Sequence, residues 1–346
     1  MKIGEHSIGK EYPPFIIAEM SGNHNQSLER ALQIVEAAAA AGAHAIKLQT
    51  YTADTMTLDL QEGHFFIDDP KSLWHGKTLY ELYQEAHTPW EWHEPLFKRA
   101  QELGLIAFST PFDETAVDFL ENLSVPCYKI ASFENTDIPL IRRVAATGKP
   151  LLISTGMANV AELDDAVRAA REAGAKDVIL LKCTSSYPAS PAHSNLRTIP
   201  HLRELFSCEA GLSDHTIGIG AAVCSVALGA TVIEKHFTLK RSEGGVDAAF
   251  SIEPDELKQL VQETQQAWQA LGQIKYGVEG NEADSLRYRR SLYIVKDIKK
   301  GDEITEKNVR VLRPGYGISA KFLFYFLGKK IKEDTKRGSL LTFEMI

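Results

Sequence analysis

Several common signals are missing from this chain. No apolar run approaches the roughly 18 residues that a membrane-spanning helix needs. The opening residues, MKIGEHSIGKEYPPF, lack the apolar core of a signal peptide. Cysteine is scarce: Cys127, Cys183, Cys208 and Cys224 are scattered, with no close pairs. That excludes a disulfide scaffold and a cysteine-based metal site, and together these absences predict a cytoplasmic protein in a reducing compartment. No GxGxxG follows the first strand-like segment, and there is no GxxxxGK[ST] and no GxSxG. A nucleotide-driven enzyme and a serine hydrolase are therefore disfavoured.

What is present is a globular composition, 44% hydrophobic and 24% charged over 346 residues. That length suits two domains, or one barrel-sized domain with a small appendage. The net charge of -8 is unevenly spread. Residues 287–346 carry 15 Lys+Arg against 7 Asp+Glu, a net of +8, which leaves -16 for residues 1–286. The basic residues are dispersed among apolar ones, with no basic helix or aromatic platform, so no nucleic acid is expected. The asymmetry instead suggests a small basic domain lying against an acidic surface, its own or a neighbouring subunit's.

Through residue 245 one pattern repeats, a short apolar strand followed by a helical stretch. The strands read as 15–20, 45–51, 106–111, 127–132, 150–156, 178–183, 209–215 and 232–238. Eight continuous apolar strands alternating with helices predict an α/β fold, a closed (β/α)8 TIM barrel, more than an open sheet. Helical spacing over Ser27–Ala41 and Asn159–Ala173, each stopped by glycine, agrees. Residues 255–272 read as one further amphipathic helix. The long insertion 52–90, with Trp74, Tyr80, Tyr83 and Trp90, is too long and too aromatic for a plain connector. The expected organisation is a catalytic barrel over 1–272, a polar linker over 273–286 and a small β-rich domain over 287–346.

In such a barrel the active site sits at the C-terminal ends of the strands. Those ends are unusually polar here: Glu19, Lys47, Gln49, Thr110, Lys129, Ser132, Glu134, Ser154, Thr184, Tyr187, Ser213, His215, Glu234 and His236. A lysine in a barrel strand is costly unless an anion compensates it. Lys47 and Lys129, with Thr110, Ser132, Ser154 and Ser213, make a donor ring suited to a phosphate plus a carboxylate. The plainer alternative for each lysine is an internal ion pair with Glu19 or Glu134. His215 and His236 end adjacent strands. Two neutral imidazoles with oxygen donors suit a borderline divalent cation such as Mn2+, Fe2+ or Zn2+. So few protein ligands leave positions for substrate, as in a catalytic site. His24 and one of His64, His75, His87 and His93 are further candidates for reaching substrate.

The segments AEMSGNHNQS (18–27), KLQTY (47–51), FSTPF (108–112), YKIASFE (128–134), STGMA (154–158), LKCTSSYP (181–188), GLSDHT (211–216) and EKHF (234–237) together resemble the sialic acid synthase family. The tail resembles that family's antifreeze-like (SAF) domain through SLYIVKDIKKGDEIT (291–305), LRPG (312–315) and LGKK (327–330). The resemblance implies condensation of phosphoenolpyruvate with an amino sugar. It implies His215 and His236 as ligands of a divalent metal, Mn2+ first, with Mg2+ or Co2+ as alternatives. It places phosphoenolpyruvate at Lys47, Thr110, Lys129, Ser132, Ser154 and Ser213, and catalytic carboxylates at Glu19 and Glu134. Asp247 falls at a sugar-contacting position. Arg313 matches an arginine given across a homodimer to the partner's sugar site by a swapped C-terminal domain. Within the family the resemblance is nearest, through LYELYQEAHTPWEWH (79–93) and the FSTPF…YKIASFEN run, to members that use a 2,4-diacetamido-2,4,6-trideoxy-L-altrose acceptor, and GGVD (244–247) in place of the GPD usual in sialic acid relatives argues against N-acetylmannosamine. The alternatives are an N-acetylneuraminic or legionaminic acid synthase. A Schiff-base aldolase using Lys129 or Lys182 is the alternative from another class.

Overall fold

A computed structural model describes residues 1–346. The chain divides into two compact units, Met1–Gly272 and Gln273–Ile346. In the first, eight parallel strands close into a barrel. They are β1 (Phe15–Glu19), β2 (Ala45–Thr50), β3 (Ile106–Pro111), β4 (Tyr128–Ile130), β5 (Leu151–Ser154), β6 (Val178–Cys183), β7 (Glu209–Asp214) and β8 (Val232–His236). β8 pairs back onto β1, with His236 opposite Glu19, and Glu19 in turn lies opposite Lys47 of β2. The polar residues expected at strand ends therefore converge on one mouth.

The strands are buried nearly throughout, as a sheet covered on both faces requires. β4 and β5 are shorter than their apolar runs. After Ile130 the chain turns into a 3-10 turn, Ser132–Glu134, and after Ser154 it passes Gly156. A Cβ at Gly156 would collide with the hydroxyls of Ser132 and Ser185, so glycine lets these strand ends crowd together. The helix over Leu28–Ala40 is capped by Ser27, and that over Val160–Glu172 by an Asn159–Glu162 capping box. An N-terminal hairpin, Lys2–Ile3 with His6–Ser7, buries Ile3 and Ile8 against the start of β1. Strands of two residues show no period, and the sequence did not reveal them.

In the second unit β9 (Ser291–Ile294) pairs antiparallel with β10 (Val309–Leu312). The unit has its own apolar core, built from Leu292, Ile294, Ile298, Ile304, Val309, Phe326, Ile331 and Leu341. The second unit begins before its sheet with a single helical turn, Glu282–Ser285.

Candidate functional site

A cavity of about 400 Å³ opens at the C-terminal ends of the strands, within the range of small-ligand sites. Lys47, Lys129, Ser132, Glu134, Ser154, Tyr187, Ser213, His215, Glu234, His236 and Asp247 all line it. Glu19 and Thr110 do not line the cavity, but both are held to Lys47: Glu19 as its ion-pair partner, Thr110 accepting a hydrogen bond from Nζ at 3.0 Å. Thr184 does not line the cavity. Its hydroxyl donates to the His193 carbonyl at 3.2 Å, and its own carbonyl accepts from His215 Nδ1 at 3.0 Å, so it positions the imidazole. Arg313 belongs to the second unit.

Charge on the cavity floor is tightly organised. Glu234 lies 3.8 Å from Lys47 and 3.4 Å from Lys129, and it accepts a hydrogen bond from Ser213 Oγ at 2.9 Å. The internal pairing foreseen as the plainer reading of the lysines thus occurs, with Glu234 in place of Glu134 beside Glu19. Burial would raise the Glu234 carboxyl, but Lys129 and Lys47 overcome it and hold it at about 2. Burial, with Glu234 nearby, pushes Glu19 up to about 7 against the pull of Lys47. Burial likewise lifts Glu134 to about 7, opposed by Lys129. Burial drives Lys129 down. Two ammoniums facing two carboxylates form a nearly neutral, desolvated cluster, and an arriving anion would have to compete within it.

Five buried polar atoms around this floor have no hydrogen-bond partner: Ser154 Oγ, Glu134 Oε2, His236 Nδ1, and Glu19 Oε2 and Glu234 Oε2, the last two facing Lys47 as ion-pair neighbours. Unsatisfied buried groups are rare in folded chains, and a cluster of them points to a ligand. The ring centroids of His215 and His236 are 5.2 Å apart. His215 Nδ1 donates to the Thr184 carbonyl, so Nε2 is the nitrogen left for a ligand; against burial, Cys183 and that carbonyl raise the imidazole above its ordinary range. Burial, reinforced by His215, keeps the His236 imidazole neutral, well below its ordinary range. Asp247 Oδ2 sits 3.7 Å from His236 Nδ1 and is held by the Ser21 hydroxyl. No cluster of three or more His, Cys, Asp and Glu side chains surrounds a common ion position. The two imidazoles nevertheless suit a divalent metal whose remaining ligands come from substrate or water.

Of the histidines near the insertion, none lines the cavity. His24 is buried edge-on against Trp92, and burial pushes it to about 4. His93 is buried too, 2.8 Å from Thr50 Oγ1. His87 meets the Gln84 carbonyl, while His64 and His75 are exposed. Trp74 and Tyr83 do line the cavity. Tyr80 instead donates to Asp54, and Trp90 to the Tyr51 carbonyl. Missed from sequence were Ser21, Tyr51, Cys183 and Val246, all of which line it. Cys183 looked like an ordinary strand residue. Burial would raise its thiol, but His215, 3.8 Å away, draws it down to about 7. Ser21, two residues past β1, holds a left-handed φ of 48°, which the sequence does not show.

The NeuB family profile matches residues 34–276, and the SAF domain profile matches residues 289–346. The pseudaminic acid synthase of Campylobacter jejuni is 45% identical over 341 residues, covering 99% of this chain and 98% of that protein. The pseudaminic acid synthase of Helicobacter pylori is 42% identical, covering 96% and 98%. Among solved structures, the N-acetylneuraminic acid synthetase of Leptospira borgpetersenii superposes with a TM-score of 0.73 at 32% identity, over 83% of this chain and 94% of that one.

Proposed function

The chain belongs to the NeuB family and carries a SAF domain; from that premise we propose that it is a pseudaminic acid synthase. It condenses phosphoenolpyruvate with 2,4-diacetamido-2,4,6-trideoxy-L-altrose and water, releasing pseudaminic acid and phosphate. One observation carries this reading: two lysines buried at the cavity floor around Glu234, beside a pair of imidazoles whose ring centroids are 5.2 Å apart. A floor of this kind suits a small, highly anionic substrate set next to a second, polar one.

In this reading Lys47 and Lys129 bind the phosphate and carboxylate of phosphoenolpyruvate, and Ser132, Ser154 and Ser213 supply hydroxyl donors. The unpartnered Ser154 Oγ has no competing bond inside the chain. Glu234 stays ionised and fixes both ammoniums at the spacing the anion requires. A bond forms between C3 of phosphoenolpyruvate and the aldehyde carbon, water adds at C2, and phosphate leaves with C–O cleavage. Glu134 Oε2, with its carboxyl near neutrality, can take the proton from that water. His215 and His236 would hold the metal, with Asp247 beside them. Bound there, a divalent ion such as Mn2+ polarises the aldehyde oxygen. A lysine Schiff base is not needed for this bond formation: Lys129 serves as an ammonium beside Glu234 and the anion, and Lys182 Nζ donates to the Cys183 carbonyl at 2.7 Å.

The working unit in this proposal is a homodimer in which the SAF domain carries Arg313 to the partner's sugar site. The charge split between residues 1–286 and 287–346 favours such docking. Four free thiols fit a reducing, cytoplasmic setting. The test is phosphate release from phosphoenolpyruvate with a panel of acceptors: the trideoxy sugar, its legionaminic-type epimer and N-acetylmannosamine. Turnover should be greatest with the altrose-configured sugar, and chelator should abolish it. Preference for N-acetylmannosamine would overturn the assignment.

A further inference from the structure

The cavity has two unlike walls. Its charged floor comes from barrel strands, whereas the facing wall comes from the 52–90 insertion and the 244–247 loop. The apolar part of that wall consists of Met56, Ile67, Trp74, Leu79, Leu82 and Val246, with Tyr83 of the insertion and Asp247 of the loop as its polar members. None of those six carries a charge or a hydroxyl, and the one polar hydrogen among their side chains, on Trp74 Nε1, is already donated to the Val246 carbonyl at 3.0 Å. That bond fastens the tip of the insertion to the 244–247 loop. The insertion is itself ordered: Ile67 N–H donates to the Lys77 carbonyl and Gly76 N–H to the Ile67 carbonyl, each at 2.9 Å. A Thr78–Glu81 capping box then starts the helix Leu79–Ala86. A Cβ at Gly22 would collide with Val246, so the loop also closes tightly on the end of β1.

An apolar wall facing a water-filled site gains nothing until a ligand brings apolar groups to it. We propose that this wall is the acceptor-selecting element: it receives the deoxygenated C6 methyl of the sugar and disfavours a hydroxyl there. This rests on the reading under Proposed function, whose acceptor has a methyl at that carbon. A hydrophobic pocket of this kind discriminates by roughly 10–200-fold per methylene, and by about 100-fold against an added hydroxyl.

The test compares kcat/KM for 2,4-diacetamido-2,4,6-trideoxy-L-altrose and its 6-hydroxy counterpart in the wild type and in Met56→Gln and Leu79→Asn. Leu79→Asn keeps the branched outline and Met56→Gln the length of the side chain, both at half-exposed positions. The wild type should prefer the 6-deoxy sugar by about tenfold or more. Each variant should lower that ratio several-fold while the KM for phosphoenolpyruvate stays unchanged. If the wild type uses the trideoxy sugar but shows no preference, or if the variants leave the ratio intact, the wall does not select and the assigned reaction survives. If the wild type turns over only N-acetylmannosamine, the assigned reaction fails and the selection with it.

Discussion

Glu134 shows what a reactive site costs the fold. Its carboxyl is buried without a partner on Oε2 and is raised from 4.5 to about 7. A carboxyl raised in the folded state binds its proton more tightly there than in the unfolded chain. Stability is therefore undiminished below about pH 4.5, falls as pH rises toward 7, and stays reduced above it. At 1.36 kcal/mol per unit the loss is at most about 3 kcal/mol. Glu134→Gln, with chelator present throughout, should thus be more stable than wild type at pH 8 and nearly equal to it at pH 4.5, by urea unfolding. An equal difference at both pH values would show that the carboxyl pays no such penalty. Individual side chains of this kind were readable from sequence where a charged residue interrupted an apolar strand, as with Lys47, Lys129 and Glu234. Thr184 misled because a hydroxyl at a strand end looks the same whether it faces ligand or, as here, a carbonyl of its own chain.

Among the elements, β7 and β8 bear the most consequence, because they end in the two imidazoles. Next to Glu234, Lys235 points the other way and is wholly buried, donating to Asp214 Oδ2 at 2.8 Å and to the Thr216 carbonyl at 2.5 Å. This pair ties both strands to the segment that carries His215. Removing one member of a buried ion pair strands the other and costs about 3–5 kcal/mol. Asp214→Asn should lose about that much in urea unfolding, and adding Lys235→Met should restore most of it. A loss below about 1 kcal/mol for Asp214→Asn would mean that water reaches the ammonium. The eight strands were legible because continuous apolar runs ending in polar residues admit few other readings. Strand lengths were less so: β4 stops at Ile130 because the backbone turns at Ser132. No local pattern in the sequence marks that turn. The apolar wall of the cavity was equally hidden, since its residues are spread across 52–90 and 244–247 and only tertiary structure gathers them.

For the whole molecule, the proposed dimer makes each site composite, with Arg313 of one chain serving the barrel of the other. Arg313→Ala and His236→Ala should each be inactive alone. In a heterodimer of the two, one site receives both lesions and the other neither, so full statistical exchange should restore about a quarter of wild-type activity. If mass measurement shows exchange and no activity returns, each arginine serves its own barrel. The central claim is the reaction itself, and it is tested most directly with phosphoenolpyruvate carrying 18O in the oxygen that bridges C2 and phosphorus. With 2,4-diacetamido-2,4,6-trideoxy-L-altrose and a divalent metal, C–O cleavage predicts that the label leaves in the inorganic phosphate and that the nine-carbon product draws its C2 oxygen from water. Unlabelled phosphate, with 18O retained in the sugar acid, would mean that the P–O bond breaks instead and would contradict the account.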